Sequence, residues 1–104
     1  MKFKVERHPL VERDVLRIAA FLLNYTTPES VASTLDQIDR DVEALRQNPY
    51  RGTRHDDILN GMRAIPSSGK GVIAFQVIED RRIVRIMAVS WAGGNWQGWV
   101  TNRG

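Results

Sequence analysis

The run from Asn48 to Arg63 gathers Arg51, Arg54 and Arg63, one of the two histidines (His55) and the carboxylate pair Asp56–Asp57 within sixteen residues. Those side chains are the raw material for gripping an anion, moving a proton or holding a metal. Arg82 and Arg85 add cations further on. None of these arginines is a base, because guanidinium stays protonated up to pH about 12 or more. Lys70 is the one lysine after Lys4, and it falls in a turn. His55 with Asp56 and Asp57 has the types for a base or a metal site. One histidine and two adjacent carboxylates rarely converge on one ion, so a surface turn, with an aspartate capping Asp57-Ile58-Leu59, is the preferred reading. No metal and no cofactor is expected. Tyr50, just after a helix stop, is read as packing against the helices, with acid–base work as the rarer use. Arg63 either binds the Asp56–Asp57 pair and fixes the segment or meets a partner. Arg81 and Arg82 fall at a hairpin turn.

The elements that carry these residues are legible from period. Phe3 and Val5 alternate with Lys2, Lys4 and Glu6, which predicts a half-buried strand. Pro9 suits the first position of a helix, and His8 before it is read as a helix-start residue. Val11, Val15, Ile18 and Leu22 then mark one apolar face of a helix ending near Asn24. Leu16, Phe21 and Leu23 widen that face, which predicts burial on more than one side. Thr27-Pro28-Glu29 starts a second helix, with Thr27 as N-cap and Glu29 at the positive dipole end. Its stripe is Val31, Leu35, Ile38, Val42 and Leu45, and its other face is acidic. The two helices should form an antiparallel hairpin packed through their stripes.

Asn48-Pro49 stops the second helix, and Gly52, Asn60 and Gly61 mark turns. The period then becomes that of strands: Met62 to Pro66, Val72 to Ile78 and Ile83 to Trp91, joined by tight turns. By period two, Arg85, Met87, Val89 and Trp91 should share one side of the last strand. The expected fold is α+β: an N-terminal strand, an antiparallel two-helix hairpin, then a three-stranded antiparallel meander. The first strand pairs at an edge, making a four-stranded, mostly antiparallel sheet. Residues 1–91 make a single domain. Residues 92–104 form a glycine-rich tail containing Trp96 and Trp99, which either meets a partner or folds back over the open face of the sheet.

The chain has 104 residues, enough for one modest core, and no cysteine. No apolar run reaches the roughly 20 residues of a membrane span, and no signal peptide is read at the N-terminus. A cytoplasmic protein with no membrane partner is expected. Net charge is +3, with a pI of about 9.8. Residues 9–47 carry seven acidic and four basic side chains, and residues 48–104 four acidic and eight basic. The sheet half is therefore basic, which suits either an anionic partner or a plain solvated surface.

One ordered set of residues resembles the RelE/ParE superfamily of type II toxin–antitoxin toxins, and within it the ParE-like branch. The set comprises Asp14-Val15-Leu16 with Ile18, Pro28 with Ala32, Asn48-Pro49 with Gly52, and Asp56-Asp57 with Leu59. Gly61 with Arg63, Val72-Ile73-Ala74-Phe75, and Ile86 with Val89 complete it. The resemblance covers residues 3 to about 91. It implies the strand–helix–helix–meander order and a toxin neutralised by a cognate antitoxin, ribbon–helix–helix and ParD-like. ParE-like members inhibit DNA gyrase by binding, and RelE-like members are ribosome-dependent mRNA endonucleases. Direct sequence-specific DNA binding by the toxin alone is not expected.

Cleaving RNA through its 2′-OH needs a base, an acid and cations at the phosphate. If the chain were a nuclease, Arg51, Arg54, Arg63 and Arg85 would be its catalytic residues. The last strand ends Ser90-Trp91-Ala92, where related toxins often carry histidine or arginine, and Trp91 has no proton to give. A gyrase inhibitor with no catalytic residues is the preferred reading. An mRNA endonuclease and a degenerate inactive toxin are the alternatives. Target-binding candidates are Arg54, Arg63, Arg82, Arg85, Trp91, Trp96 and Trp99. Antitoxin-binding candidates are Leu16, Phe21 and Leu23, the apolar excess of the first helix.

Overall fold

Both predicted helices form where the stripes place them. The computed structural model describes residues 2–104. Strand β1 is Lys4–Arg7, helix α1 Val11–Leu22 and helix α2 Pro28–Ala44. Helix α2 starts as expected: Thr27 Oγ1 accepts from the Ser30 N–H at 3.1 Å, and Pro28 fills the first turn. Helix α1 starts two residues later than Pro9. His8 Nδ1 accepts from the Leu10 N–H at 3.1 Å, and the Val11 N–H bonds His8 O at 2.9 Å. Residues 9 and 10 are thus a turn held by the histidine. Val11, Ile18, Ile38, Val42 and Leu45 bury together with Ile65, Ile73, Phe75, Val84 and Ile86 from the sheet. The helical stripes therefore face the sheet as well as each other. Each such side chain contributes about 1.5–3 kcal/mol by leaving water. The widened face of α1 is not buried: Leu16, Phe21 and Leu23 are 61%, 46% and 51% exposed.

The sheet has five strands, not four. Strands β2 Thr53–Arg54, β3 Met62–Ser67, β4 Gly71–Ile78 and β5 Ile83–Trp91 join β1 in the order β1-β5-β4-β3-β2. β1 runs parallel to β5, with Val5 opposite Val84, and the other pairings are antiparallel. The added strand, two residues in the linker, is too short to show a period. A single 3₁₀ turn, Glu79–Arg81, joins β4 to β5. Arg7 crosses to Asp39 and Glu43 of α2 at 2.8 and 3.1 Å. These half-exposed pairs orient the helix more than they stabilise it.

Period two fails on β5. Phe75 pairs with Ile86 and Ala74 with Ala88, so Met87 is the extra residue of a β-bulge. Past the bulge the faces exchange. Val89 and Trp91 pack with the helices, on the same side as Val84 and Ile86. Met87 and Ala88 both join a second cluster with Met62, Ala64 and Ala74 on the far face. Arg85, Met87, Val89 and Trp91 therefore do not share one side.

The tail is a helix. Helix α3, Trp96–Arg103, is capped by Asn95, whose Oδ1 accepts from the Gly98 N–H at 3.3 Å. Its Trp96 and Val100 complete the far-face cluster. The sheet is thus covered on both faces, by α1 and α2 on one and by α3 on part of the other. Among the described residues, no helix is long and apolar enough to cross a membrane.

Candidate functional site

The linker is fixed by its own polar groups. Gly52 and Gly61 stand at φ +84° and +83°, the left-handed region that glycine enters without steric cost. Asp56 Oδ1 accepts from the Gly61 N–H at 2.9 Å, and Arg54 pairs with Asp56 Oδ2 at 2.8 Å. The Gly61 N–H, then Arg54, hold the Asp56 carboxyl below its usual range. The partner of Asp56 is therefore Arg54 and not Arg63. Arg63 instead donates to Tyr50 O at 3.0 Å and lies over the Tyr50 ring at 5.6 Å. No helix forms at Asp57-Ile58-Leu59. The Ile58 and Leu59 N–H groups both reach back to His55 O, making a turn. The His55 ring stands edge-on to Trp96, 4.9 Å between centroids, and serves packing.

A cavity of about 470 Å³ opens beside this turn, lined by Tyr50, Arg54, Asp56, Arg63, Glu79 and Asp80 among others. Its two arginines face three carboxylates, so a phosphate entering it meets no net attraction. Tyr50 packs edge-on to Phe3 at 5.9 Å. Partial burial, then the neighbouring Glu79 carboxylate, raise its phenol above the ordinary value.

The four arginines named for a nuclease do not converge. Arg54, Arg63, Phe75 and Ile86 lie in one cross-strand row, and Phe75 and Ile86 pack toward the helices. Arg85 lies in the adjoining row with Glu6, Gln76 and Met62, and Met62 packs on the far face. Side chains of neighbouring rows point to opposite faces. Arg63 and Arg85 thus leave the sheet on opposite sides. Arg51 is exposed in the linker. Arg82, at φ +53° in the turn before β5, lies over the Phe3 ring at 5.9 Å.

The aromatic and apolar candidates divide as well. Trp96 is 6% exposed and is a core residue, not a free contact. The Arg103 guanidinium covers the Trp99 ring at 5.4 Å. Trp91 and Trp99 are half-buried and, with Phe21, line one cavity. Leu16 and Leu23, seven residues apart, share a flank of α1. Phe21 is about 140° away around the helix axis. The three antitoxin candidates therefore make two surfaces.

One buried group escaped the sequence reading. Asp14 is 2% exposed and accepts two bonds from Arg103, at 2.6 and 2.8 Å. It also accepts the Val89 N–H at 3.1 Å, and Arg103 donates to Met87 O at 3.0 Å. This clamp ties α1 to β5, past the bulge, and to the last turn of α3. The signal was present: Asp14 falls between Val11, Val15 and Ile18 on the buried stripe, and Arg103 is the only ionisable side chain after Trp91.

His8 sits beside the clamp. Burial, then Arg103 and Arg85, hold its imidazole below the ordinary 6.5, against a smaller pull upward from Asp14. The unfolded chain then binds more protons than the folded one, so this contribution to stability is complete above the ordinary value. It is lost as pH falls through the lower folded value. Between pH about 7.5 and about 5, the urea midpoint of the wild type should fall more than that of His8→Gln. Parallel pH profiles of the two midpoints would refute this.

A family model described as "ParE toxin of type II toxin-antitoxin system, parDE" matches residues 5–96. No curated protein matches in sequence. Among solved structures, the chain is similar to one from the chromosomal ParDE toxin–antitoxin system of P. aeruginosa. There the TM-score is 0.72 at 15% identity, over 86% of this chain and 96% of that one. It is similar to a mutant of the E. coli toxin RelE in the free state, with TM-score 0.67 at 11% identity, over 98% and 96%. It is also similar to a chain of the toxin–antitoxin complex RelBE2 from Mycobacterium tuberculosis, with TM-score 0.55 at 16% identity, over 88% and 99%.

Proposed function

The chain belongs to the ParE toxin family of type II toxin–antitoxin systems, and from that membership we propose that it acts by binding and inhibiting DNA gyrase, held inactive by a cognate ParD-like antitoxin. The observation that carries this reading over RNA cleavage is the arginine arrangement. Arg54 is committed to Asp56, Arg63 is committed to Tyr50, and Arg85 belongs to a row that faces the other side of the sheet. No phosphate is gripped by all three. The relatives that come from ParDE and RelBE2 systems support an antitoxin partner, for which the Leu16–Leu23 flank of α1 is a solvent-exposed apolar surface. The expected location is the cytoplasm.

Nuclease activity is the second reading, and one observation favours it. The Tyr50 phenol and the Glu79 carboxylate line one cavity with Arg54 and Arg63, a phenol and a carboxylate of the kind that can pass a proton. Purified toxin, free of antitoxin, should inhibit supercoiling by gyrase and leave mRNA on ribosomes intact. Cleavage abolished by Tyr50→Phe, without gyrase inhibition, would reverse the order of the two readings. Inertness in both assays would mark a degenerate toxin.

A further inference from the structure

Asn60 and Gly61 meet in the turn that leads into β3, and the fold demands the glycine. Its φ is +83°, and a Cβ at residue 61 would lie 2.6 Å from Val77 O. The Val77 N–H bonds Gly61 O at 2.9 Å, which fixes that close approach. Glycine solves the packing and creates a chemical weakness. With no side chain beside it, its nitrogen is the least hindered nucleophile that the main chain can set next to an asparagine carboxamide. Asparagine is already among the thermally labile residues, and Asn60 is exposed.

One hydrogen bond stands against the reaction. The Gly61 N–H donates to Asp56 Oδ1 at 2.9 Å. A bond to an ionised acceptor is about twice as strong as one between neutral groups. It holds the proton on the Gly61 nitrogen, and attack on the carboxamide needs that proton to leave. The carboxylate does not take the proton itself, because the Gly61 N–H and then Arg54 make it a weaker base than an ordinary aspartate. We infer that Asn60 is a latent deamidation site, kept silent in the folded chain by Asp56 through its hold on the Gly61 N–H.

In the reaction the Gly61 nitrogen bonds to Asn60 Cγ and the Cγ–Nδ2 bond breaks. The amide leaves as ammonia, carrying the proton that the Gly61 nitrogen gives up. Water then opens the cyclic imide at either carbonyl, giving aspartate or isoaspartate. Both products add a carboxylate to a cavity wall that already carries Asp56, Glu79 and Asp80. Isoaspartate also lengthens the main chain by a methylene beside the Gly61–Val77 bond, so the start of the β3–β4 pairing should loosen. The inference goes beyond the toxin reading, because it concerns the chain's own chemistry whichever target the toxin acts on.

The tryptic peptide His55–Arg63 contains Asn60 and no other asparagine. Mass spectrometry of digests therefore follows this site while the full chain ages in mildly alkaline buffer. In guanidinium the site should deamidate faster than Asn24, which precedes the bulky Tyr25. In the folded wild type it should react about tenfold or more slowly than in guanidinium, because reaction waits for the turn to open. Asp56→Ala should restore most of the unfolded rate. Asp56→Ser, a gentler change that keeps a shorter oxygen acceptor, should fall between the two and carries the test if Asp56→Ala does not fold. Gln76→Leu removes the 2.8 Å bond from Gln76 Nε2 to Asn60 O and spares the Gly61 N–H, so it should accelerate the reaction little. Equal rates in the folded and unfolded wild type would overturn the inference, as would no acceleration by either Asp56 variant. Equal acceleration by the Asp56 variants and Gln76→Leu would also overturn it, since the protection would then be general stiffness of the turn.

Discussion

Replacing Arg103 with methionine should destabilise the fold by about 3–5 kcal/mol, the usual effect of stranding one member of a buried ion pair. The arginine is replaced by a side chain of similar reach, so packing changes little. Asp14, with its side chain 0% exposed, keeps only the Val89 N–H at 3.1 Å. Asp14→Leu should cost a comparable amount by stranding the guanidinium. The double variant should recover much of the loss, because two apolar side chains need no desolvated partner. Urea unfolding followed by circular dichroism provides the cycle. A midpoint for Arg103→Met close to the wild type would mean that α3 is not held by this pair.

Gly52→Ala should be nearly as damaging, for a reason unrelated to charge. At φ +84° an added Cβ would lie 2.3 Å from Ala64 O and 2.6 Å from Ile65 Cγ2. The left-handed backbone alone costs about 1–2 kcal/mol in a residue with a side chain. The collision adds to it by pushing on the β3 backbone where Thr53 pairs with Ala64. A total of about 3 kcal/mol or more is expected. Gly69→Ala is the control: φ is +82°, but nothing lies within 4 Å of the added carbon. It should show the backbone component only. Equal losses for the two variants would remove the collision from the account.

The order of elements was legible because it rests on long repeats. Stripes such as Val31–Leu35–Ile38–Val42 and runs such as Val72–Ile78 leave little choice of period. What escaped was set by single residues or by partners far along the chain. The bulge at Met87 depends on how β5 meets β4, and no residue type near Met87 announces it. Helix α3 was obscured by Gly98, and it forms because Trp96 and Val100 find Met62 and Ala74 on the sheet, a tertiary gain that overrides weak local propensity. At the site, residue types were readable but directions were not. Arg54, Arg63 and Arg85 look alike as cations, and only strand register separates their faces. The Asp14–Arg103 clamp was visible as an acid on an apolar stripe, yet its partner lies eighty-nine residues away.

The parallel pairing of β1 with β5 sets an order of events during synthesis. Val5 finds its neighbour only when Val84, made seventy-nine residues later, exists. The clamp waits longer still, for Arg103. Early segments of most domains organise as they emerge, but here the closing contacts have the longest loops and so the slowest formation. A chain cut short before residue 83 lacks β5, the strand that β1 pairs with. Such a fragment cannot complete the fold, so the domain closes only after translation has passed residue 103, which the clamp needs.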